Sequence, residues 1–367
     1  MNRDAVIAVN RFGLGAAPGE LAAVERDPRG WLVAQLRGPA PEYPQFSGLA
    51  GSDDLLKEFP RWLMKLRGEN RAAQGEAGAE GMQRPQAGVE GSFRNHFFPI
   101  LAKEVGARLN VAATTKVPFH ERLTWFWANH FSVSAEKPAV FAVAGAFERE
   151  AIRPNVNGRY VDLLLAAVKH PAMILYLDNN LSVAPGTQPS RAAERLNLPR
   201  ATGLNENLAR EILELHTLGV NGGYTQADVT TFARAITGWT VGGLVNTGFR
   251  FMPERHERGA KTILGKTYAQ DGLAQGEAVL RDLAAHPATA KHIATKLVRH
   301  FVADDPPPAA VDRVARAFVD SGGDLPTVHA ALLEVPEAWS QPLAKVKQPV
   351  EYVVSVLRVL PAARDGK

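Results

Sequence analysis

The chain has 367 residues, 46% of them hydrophobic and 22% charged, which is the composition of a folded globular protein. Its 42 basic and 38 acidic residues leave a net charge of +4, a surplus too small to predict a nucleic-acid-binding stripe or a membrane-surface helix. Because the chain has no cysteine, disulfides, thiolate zinc sites and cysteine nucleophiles are excluded, and a metal ion would need His, Asp or Glu ligands.

The N-terminal residues 1–15 contain no uninterrupted apolar run of the kind that a signal peptide needs, and no stretch approaches the roughly 18 apolar residues that span a membrane. We therefore expect a cytoplasmic protein with no membrane span, or a periplasmic one if the natural N-terminus is longer. Gly13, Gly15 and Gly19 lie close together, but no strand is predicted before them and no helix opens at them. A turn is favoured over a dinucleotide-binding loop.

The first part of the chain alternates helical patterns with loops. Residues 53–67 and 92–114 have helical periodicity, whereas residues 67–91 have none and are expected to form a mobile surface loop. The helical pattern of residues 119–130 is apolar almost all round, so this helix is expected to be buried. Asn129 and His130 end it. They either cap the helix and bond to neighbouring carbonyls, or His130 is a ligand or a general base.

A second polar group follows the apolar helix that ends near residue 177. Asp178 lies there at the negative end of the helix dipole, an unfavourable place for a carboxylate. Solvent exposure would explain its position, and so would a specific partner such as Arg or a cation. Residues 183–203, rich in Pro, Gly, Ser and Arg, are expected to form a long loop at a lobe boundary.

The most distinctive stretch is residues 205–239, in which two helical patterns meet at a Gly-rich turn. One arc of the first helix carries four polar residues, Asn207, Arg210, Glu211 and Glu214. His216 falls instead among the apolar positions of the same helix. The turn carries Tyr224, and Thr225 is a good N-cap for the second helix.

The last third of the chain contains a period-two pattern and then successive helices. Residues 249–268 are expected to form a small β-hairpin, and several helices in residues 271–361 begin at a proline. The basic residues His292, Lys296, Arg299 and His300 favour a solvated basic face over an anion site. We predict an all-α fold, a large multi-helical domain with an inserted hairpin. It forms either a single unit or two lobes, residues 1–182 and 204–367.

Several motifs together resemble a bacterial family known as domain of unknown function 1800. The matching segments are RFGLG, FWANHFSVS, MILYLDNNLSV, NENLAREILELHTLGVNGGYTQADVTTFARAITGWT, HPATAKHIATKLVRHFVADDPP and KVKQPVEYVVSVLR. They cover nearly the whole chain in order. The resemblance implies no activity. Relatives often have His where Ala128 stands, which gives a His-Asn-His run, and they usually continue past the position of Arg358.

The first functional hypothesis is a hydrolase with a carboxylate and histidine site. Glu211 and Glu214 are three residues apart on a helix and project together, as two carboxylates must to share a proton or a metal ion. With His130 they are the candidate catalytic residues and the candidate ligands of a divalent metal. The candidate binding residues are Asn207, Arg210, Tyr224, Asp178 and Asn129.

Two other interpretations of these residues stay open. Arg210 and Glu214 are four residues apart, so they can form an ordinary ion pair on the helix surface. A glycosidase-like pair of Glu206 and Glu211 is weaker, because these residues lie about 140° apart on the helical wheel. The alternative function is a non-catalytic helical scaffold or binding protein that acts with a protein partner. Burial of Glu211, Glu214 and His130 in one cleft would favour the enzyme.

Overall fold

A computed structural model describes residues 2–38, 40–76, 86–186, 203–243, 247–340 and 345–360, without side chains at residues 63, 66–92 and 94. Residues 77–85 of the predicted loop 67–91 and most of the predicted loop 183–203 lie outside this range. The described residues of the predicted loop 67–91 are helical instead, because the helices Ser52–Glu76 and Gln86–Thr114 extend into it from both sides.

Most of the described chain is α-helical, which confirms the predicted fold class. The α-helices in the described residues are α1 (Arg3–Ile7), α2 (Glu20–Val24), α3 (Pro28–Ala34), α4 (Ser52–Glu76), α5 (Gln86–Thr114), α6 (Pro118–His130), α7 (Pro138–Phe147), α8 (Tyr160–Lys169), α9 (Pro171–Tyr176), α10 (Asn207–Glu211), α11 (Gln226–Ala235), α12 (Leu273–Ala285), α13 (Pro287–Phe301), α14 (Pro308–Asp320), α15 (Leu325–Leu333) and α16 (Pro349–Val359). Eight of these sixteen helices have Pro in the first turn, where its missing N–H costs no hydrogen bond.

Three π-helical segments continue α1, α7 and α10 without a break. They span Ala8–Phe12, Glu148–Ile152 and Ile212–His216. The wider turn of a π-helix changes which face the following side chains occupy, and such segments occur often at functional sites. The third one carries Glu214 on its partly exposed side and His216 on its buried side.

The predicted hairpin at residues 249–268 is two small antiparallel sheets. The strands are β1 (Trp239–Val241), β2 (Phe249–Phe251), β3 (Lys261–Ile263) and β4 (Lys266–Tyr268). β2 pairs with β1, which the sequence analysis had not assigned, and β3 pairs with β4. The short 3₁₀ turn Pro253–Arg255 interrupts the period-two pattern after β2. Leu264 and Gly265 both have positive φ, as a tight two-residue hairpin turn requires.

An aromatic cluster holds α4 against α5. Phe59 and Trp62 of α4 contact Phe93 and Phe97 of α5 at ring-centroid distances of 5.6–6.2 Å. Pro60 lies inside α4 and does not end it, contrary to what its helix-breaking character suggests. The packing of these partly buried rings against α5 offsets the unfavourable effect of the proline on the helix.

One hydrophobic core joins the two predicted lobes. Its buried members come from both sides of residues 183–203, with Trp127 and Leu163 from the first part and Phe232 and Leu297 from the second. The two parts therefore share the apolar interior that a domain needs for its stability. This shared core places α6 against α13, where the candidate sites lie.

The contact between α12 and β1 requires a glycine. A Cβ atom at Gly276 would lie 2.6 Å from Cζ2 of Trp239 and 3.0 Å from Cγ2 of Ile236. We expect Gly276→Ala to lower the free energy of unfolding by about 1–3 kcal/mol through overpacking. The control is Gly106→Ala in α5, where a Cβ would meet nothing within 4 Å and stability should hold or rise. Urea unfolding, followed by tryptophan fluorescence, measures the stability of both variants. An unfolding midpoint of Gly276→Ala equal to that of the wild type would contradict the tight contact.

Candidate functional site

The predicted carboxylates lie on a partly exposed surface. Arg210 donates to Glu206 at 3.0 Å and pairs with Glu214 at 3.6 Å, so the surface ion pair considered in the sequence analysis is present. Burial and then the neighbouring Glu214 raise the pKa of Glu211. Burial and a hydrogen bond to Glu214 raise the pKa of Tyr224. These groups form a polar network on one face of α10, on which Asn207 is also exposed.

His130 lies elsewhere, in the interior. It is 3% exposed, and its ring neighbours include His216 and His292 at centroid distances of 6.1 and 6.2 Å. No hydrogen bond or ion pair in the described residues joins it to Glu211 or Glu214. In the same part of the chain, no three His, Asp or Glu side chains are grouped so that they could hold a metal ion. The histidine that faces His130 is His216, whose place on the apolar side of its helix was visible in the sequence.

The other two predicted binding residues have different environments. Asp178 has a φ of 56° and pairs with Nζ of Lys137 at 2.6 Å, so the cationic partner is a lysine. Both side chains are about 40% exposed, and the pair ties the end of α9 to the start of α7. Asn129 is exposed and lines a cavity. Of the residues predicted for binding, it is the one that lines this cavity.

Both ring nitrogens of His130 are engaged. Nε2 lies 3.2 Å from the carbonyl oxygen of His216, to which the hydroxyl of Tyr160 also donates. Nδ1 lies 2.8 Å from Nζ of Lys296 on α13. Because a carbonyl only accepts hydrogen bonds, Nε2 carries the proton and Nδ1 accepts from the lysine. His130 is therefore fixed in one tautomer.

The prediction of a solvated basic face on α13 is wrong for three of its four residues. His292 donates from Nε2 to the carbonyl oxygen of Leu215 at 3.0 Å, and Lys296 bonds to His130. His300 contacts Phe126 of α6, with a ring-centroid distance of 5.4 Å. Arg299 alone is exposed. The spacing of these residues turns one face of α13 toward the end of α6.

A cavity of about 350 Å³ lies among α5, α6, α7, α13 and α16. Its volume falls within the range of small-molecule sites. Its lining combines apolar and polar side chains: Arg108, Trp125, Ala128, Asn129, Ser132, Val133, Ala144, Phe147, Glu148, His300, Gln348, Val350 and Glu351. Ala128 is part of this wall.

His300 and Glu351 form the polar centre of the cavity. Nε2 of His300 has no hydrogen-bond partner among the described residues and lies 3.8 Å from Oε1 of Glu351. Arg122 pairs with the same oxygen at 3.1 Å, and the backbone N–H of Gln348 donates to Oε2 at 3.1 Å. Burial, and then the charges of Arg122 and Lys345, lower the pKa of His300 to about 3. The imidazole is therefore neutral at pH 7.

The opposite wall carries an ion-pair network. Glu148 accepts from Nε of Arg108 at 2.7 Å and from Arg153 at 2.7 Å. The guanidinium of Arg108 lies 4.5 Å from the centre of the Trp125 ring. Its Nε donates to Glu148, and its two terminal nitrogens form no hydrogen bond within the described residues. The cavity thus presents a paired carboxylate together with unused N–H donors. Arg108 and Glu351 were not predicted as site residues, and His300 was predicted to lie on a solvated basic face, because the three residues come from distant segments of the chain.

Comparison with known proteins gives one match. A family model described as Protein of unknown function (DUF1800) matches residues 7–366. No curated protein and no solved structure matches the chain. In the described residues, no helix is long and apolar enough to cross a membrane.

Proposed function

The chain belongs to the DUF1800 family of proteins of unknown function, and we propose that it is a hydrolase whose active site is the cavity beside Asn129 and His300. The observation that carries this proposal is the neutral imidazole of His300 in the cavity wall, 3.8 Å from a carboxylate that Arg122 and Gln348 hold in place. A histidine beside a fixed carboxylate becomes a general base when the two form a hydrogen bond, which would raise the pKa of the imidazole toward neutrality.

His300 would activate a water molecule. Its Nε2 faces Glu351, which leaves Nδ1 for the cavity. Nδ1 takes a proton from the water as the oxygen attacks the carbonyl carbon of a small ester or amide, and the imidazolium then gives that proton to the leaving group. Glu351 stabilises the imidazolium once the pair closes to hydrogen-bond distance, because opposite charges attract strongly in a buried site.

The other cavity residues would bind and polarise the substrate. The unused N–H groups of Arg108 and the amide of Asn129 can donate to the oxygen on which negative charge develops. Trp125, Phe147 and Val133 offer apolar surface to the rest of a small substrate. The site predicted at Glu211, Glu214 and His130 contributes no group to this cavity, and the step needs no metal ion.

The proposal predicts an effect of removing the imidazole. We expect His300→Gln to lower kcat/KM by at least about 100-fold, because a general base contributes that much. The measurement is a panel of chromogenic esters, anilides, phosphates and glycosides, with the wild-type protein first. The control is His96→Gln in α5, which removes a histidine that pairs with Glu58 outside the cavity. Activity on an ester or anilide that survives His300→Gln would contradict the assignment.

A second candidate function is non-catalytic and rests on α16. Its outer face exposes Tyr352, Val353, Val356, Val359 and Leu360, which are 43–63% exposed. The charged residues of this helix, Glu351 and Arg358, are buried, so two copies of the chain could pair through this face without charge repulsion. A wild-type protein that hydrolyses nothing in the panel and is a dimer by light scattering would favour this function.

A further inference from the structure

Lys296 lies in an unusual environment for a lysine. It is partly buried on α13, and its Nζ donates to Nδ1 of His130 at 2.8 Å. No carboxylate in the described part of the chain forms an ion pair with it, whereas Lys291 on the same helix pairs with Asp312. A partly buried ammonium without an anion is costly, so this environment lowers the pKa of the amine.

The groups around Lys296 are neutral or cationic. They are His130 from α6, His216 from the π-helical segment, and His292 one turn earlier on α13. Burial lowers the pKa of Lys296 to about 8. Burial and then Lys296 also lower the pKa values of His130 and His216. The imidazoles are therefore neutral at neutral pH, and the positive charge of the cluster lies on Lys296, which loses its proton more readily than an exposed lysine does.

The tautomer of His130 gives Lys296 a proton acceptor. Nε2–H of His130 donates to the carbonyl oxygen of His216, so the lone pair of Nδ1 points at Nζ. Tyr160 donates to the same carbonyl and fixes it. These four residues come from four different elements: His130 from α6, Lys296 from α13, Tyr160 from α8 and His216 from the π-helical segment. A lysine desolvated in this way is an activated nucleophile.

We propose that Lys296 is a nucleophilic amine that forms an imine with a small aldehyde or ketone. The ammonium first gives a proton to His130, and the lone pair of Nζ then adds to the carbonyl carbon as the C–O π bond breaks. The resulting carbinolamine loses its oxygen as water and forms the C=N bond. The balance is one carbonyl compound and one amine giving one imine and one water. Lys296, His130 and His216 are not among the residues that line the cavity, so this site does not depend on the hydrolase proposal.

The test measures imine formation at individual lysines of the full chain. The protein is incubated with glycolaldehyde and sodium cyanoborohydride, which traps an imine as a stable secondary amine, and the modified peptides are quantified by mass spectrometry. We expect Lys296 to be modified at least about 10-fold faster than Lys291 at pH 7.5, since an amine with a lowered pKa is deprotonated more often. The rate of modification of Lys296 should rise with pH and reach half of its maximum near pH 8.

Two variants make the test specific. Lys296→Met should remove this adduct and leave that of Lys291 unchanged. His130→Gln should bring the rate at Lys296 down toward that at Lys291, because the proton acceptor is lost. If His130→Gln does not fold, the modification rates of Lys296 and Lys291 in the wild-type protein across pH are sufficient to test the proposal. Modification of Lys296 no faster than Lys291 at pH 7.5 would overturn the proposal.

Discussion

Glu121→Ala is expected to destabilise the protein by about 3–5 kcal/mol, because it leaves a buried guanidinium without its main partner. Glu121 is 0% exposed. Arg153 donates to both of its oxygens at 2.7 Å, and Nε1 of Trp125 donates to Oε1 at 2.8 Å. The substitution removes three hydrogen bonds and one of the two carboxylates that neutralise Arg153, the other being Glu148.

The measurement is the free energy of unfolding from urea titration at pH 7.5. Asp312→Ala serves as the control, since it breaks an ion pair with Lys291 in which both side chains are more than half exposed. Exposed pairs contribute at most about 1 kcal/mol. The double variant Glu121→Leu with Arg153→Met should be more stable than Glu121→Ala, because no unpaired charge remains. A loss of less than about 1 kcal/mol for Glu121→Ala would show that the buried pair is not needed.

The local features of this fold could be predicted from the sequence. Proline at the first turn marked the starts of helices, and the wheel placed His216 on a buried side. Thr225 caps its helix as predicted, with Asp228 completing a capping box. Each of these depends on residues fewer than about ten positions apart, where helix geometry alone decides which side chains meet.

The cavity could not be predicted in the same way. Glu351 meets Arg122 and His300 only because α16 packs beside α6 and α13, and no period in the sequence reports such a contact. Likewise, Glu211 and His130 were grouped because both are polar near conspicuous motifs, and in the described residues no hydrogen bond or ion pair joins them. Tertiary packing decides these contacts, and it depends on the whole core. The strand β1 was missed for a related reason, since Trp239 follows directly after a helical pattern.

Lowering the pH from 6.5 to 5 is expected to remove several kcal/mol of stability, of the order of 5, because buried histidines must gain protons. Burial is the main cause that lowers the pKa of His120 to about 4 and those of His216, His300 and His329 to about 3. The unfolded chain binds these protons near pH 6.5. Their folded pKa values are depressed, so the stability they contribute is complete above pH 6.5 and is lost as the pH falls toward 3–4.

His329 offers the sharpest single-residue check of this pH dependence. It is 0% exposed, and its Nε2 accepts a hydrogen bond from Nε1 of Trp127 at 3.4 Å while Nδ1 has no partner. His329→Leu removes one of the groups that must bind a proton on unfolding. The slope of the unfolding free energy against pH should therefore fall by up to about 1.4 kcal/mol per pH unit between pH 6 and 4.

Urea titrations at pH 7.5, 6, 5 and 4.5 measure that slope for the wild type and two variants. Val328→Ala is the matched control, because it deletes buried apolar atoms next to His329 and changes no proton equilibrium. It should lower stability by the same amount at each pH, whereas the difference between His329→Leu and the wild type should move in favour of the variant as the pH falls. A wild-type stability that is constant from pH 7.5 to 5 would mean that these histidines become protonated without unfolding, which requires water to reach them in the folded state.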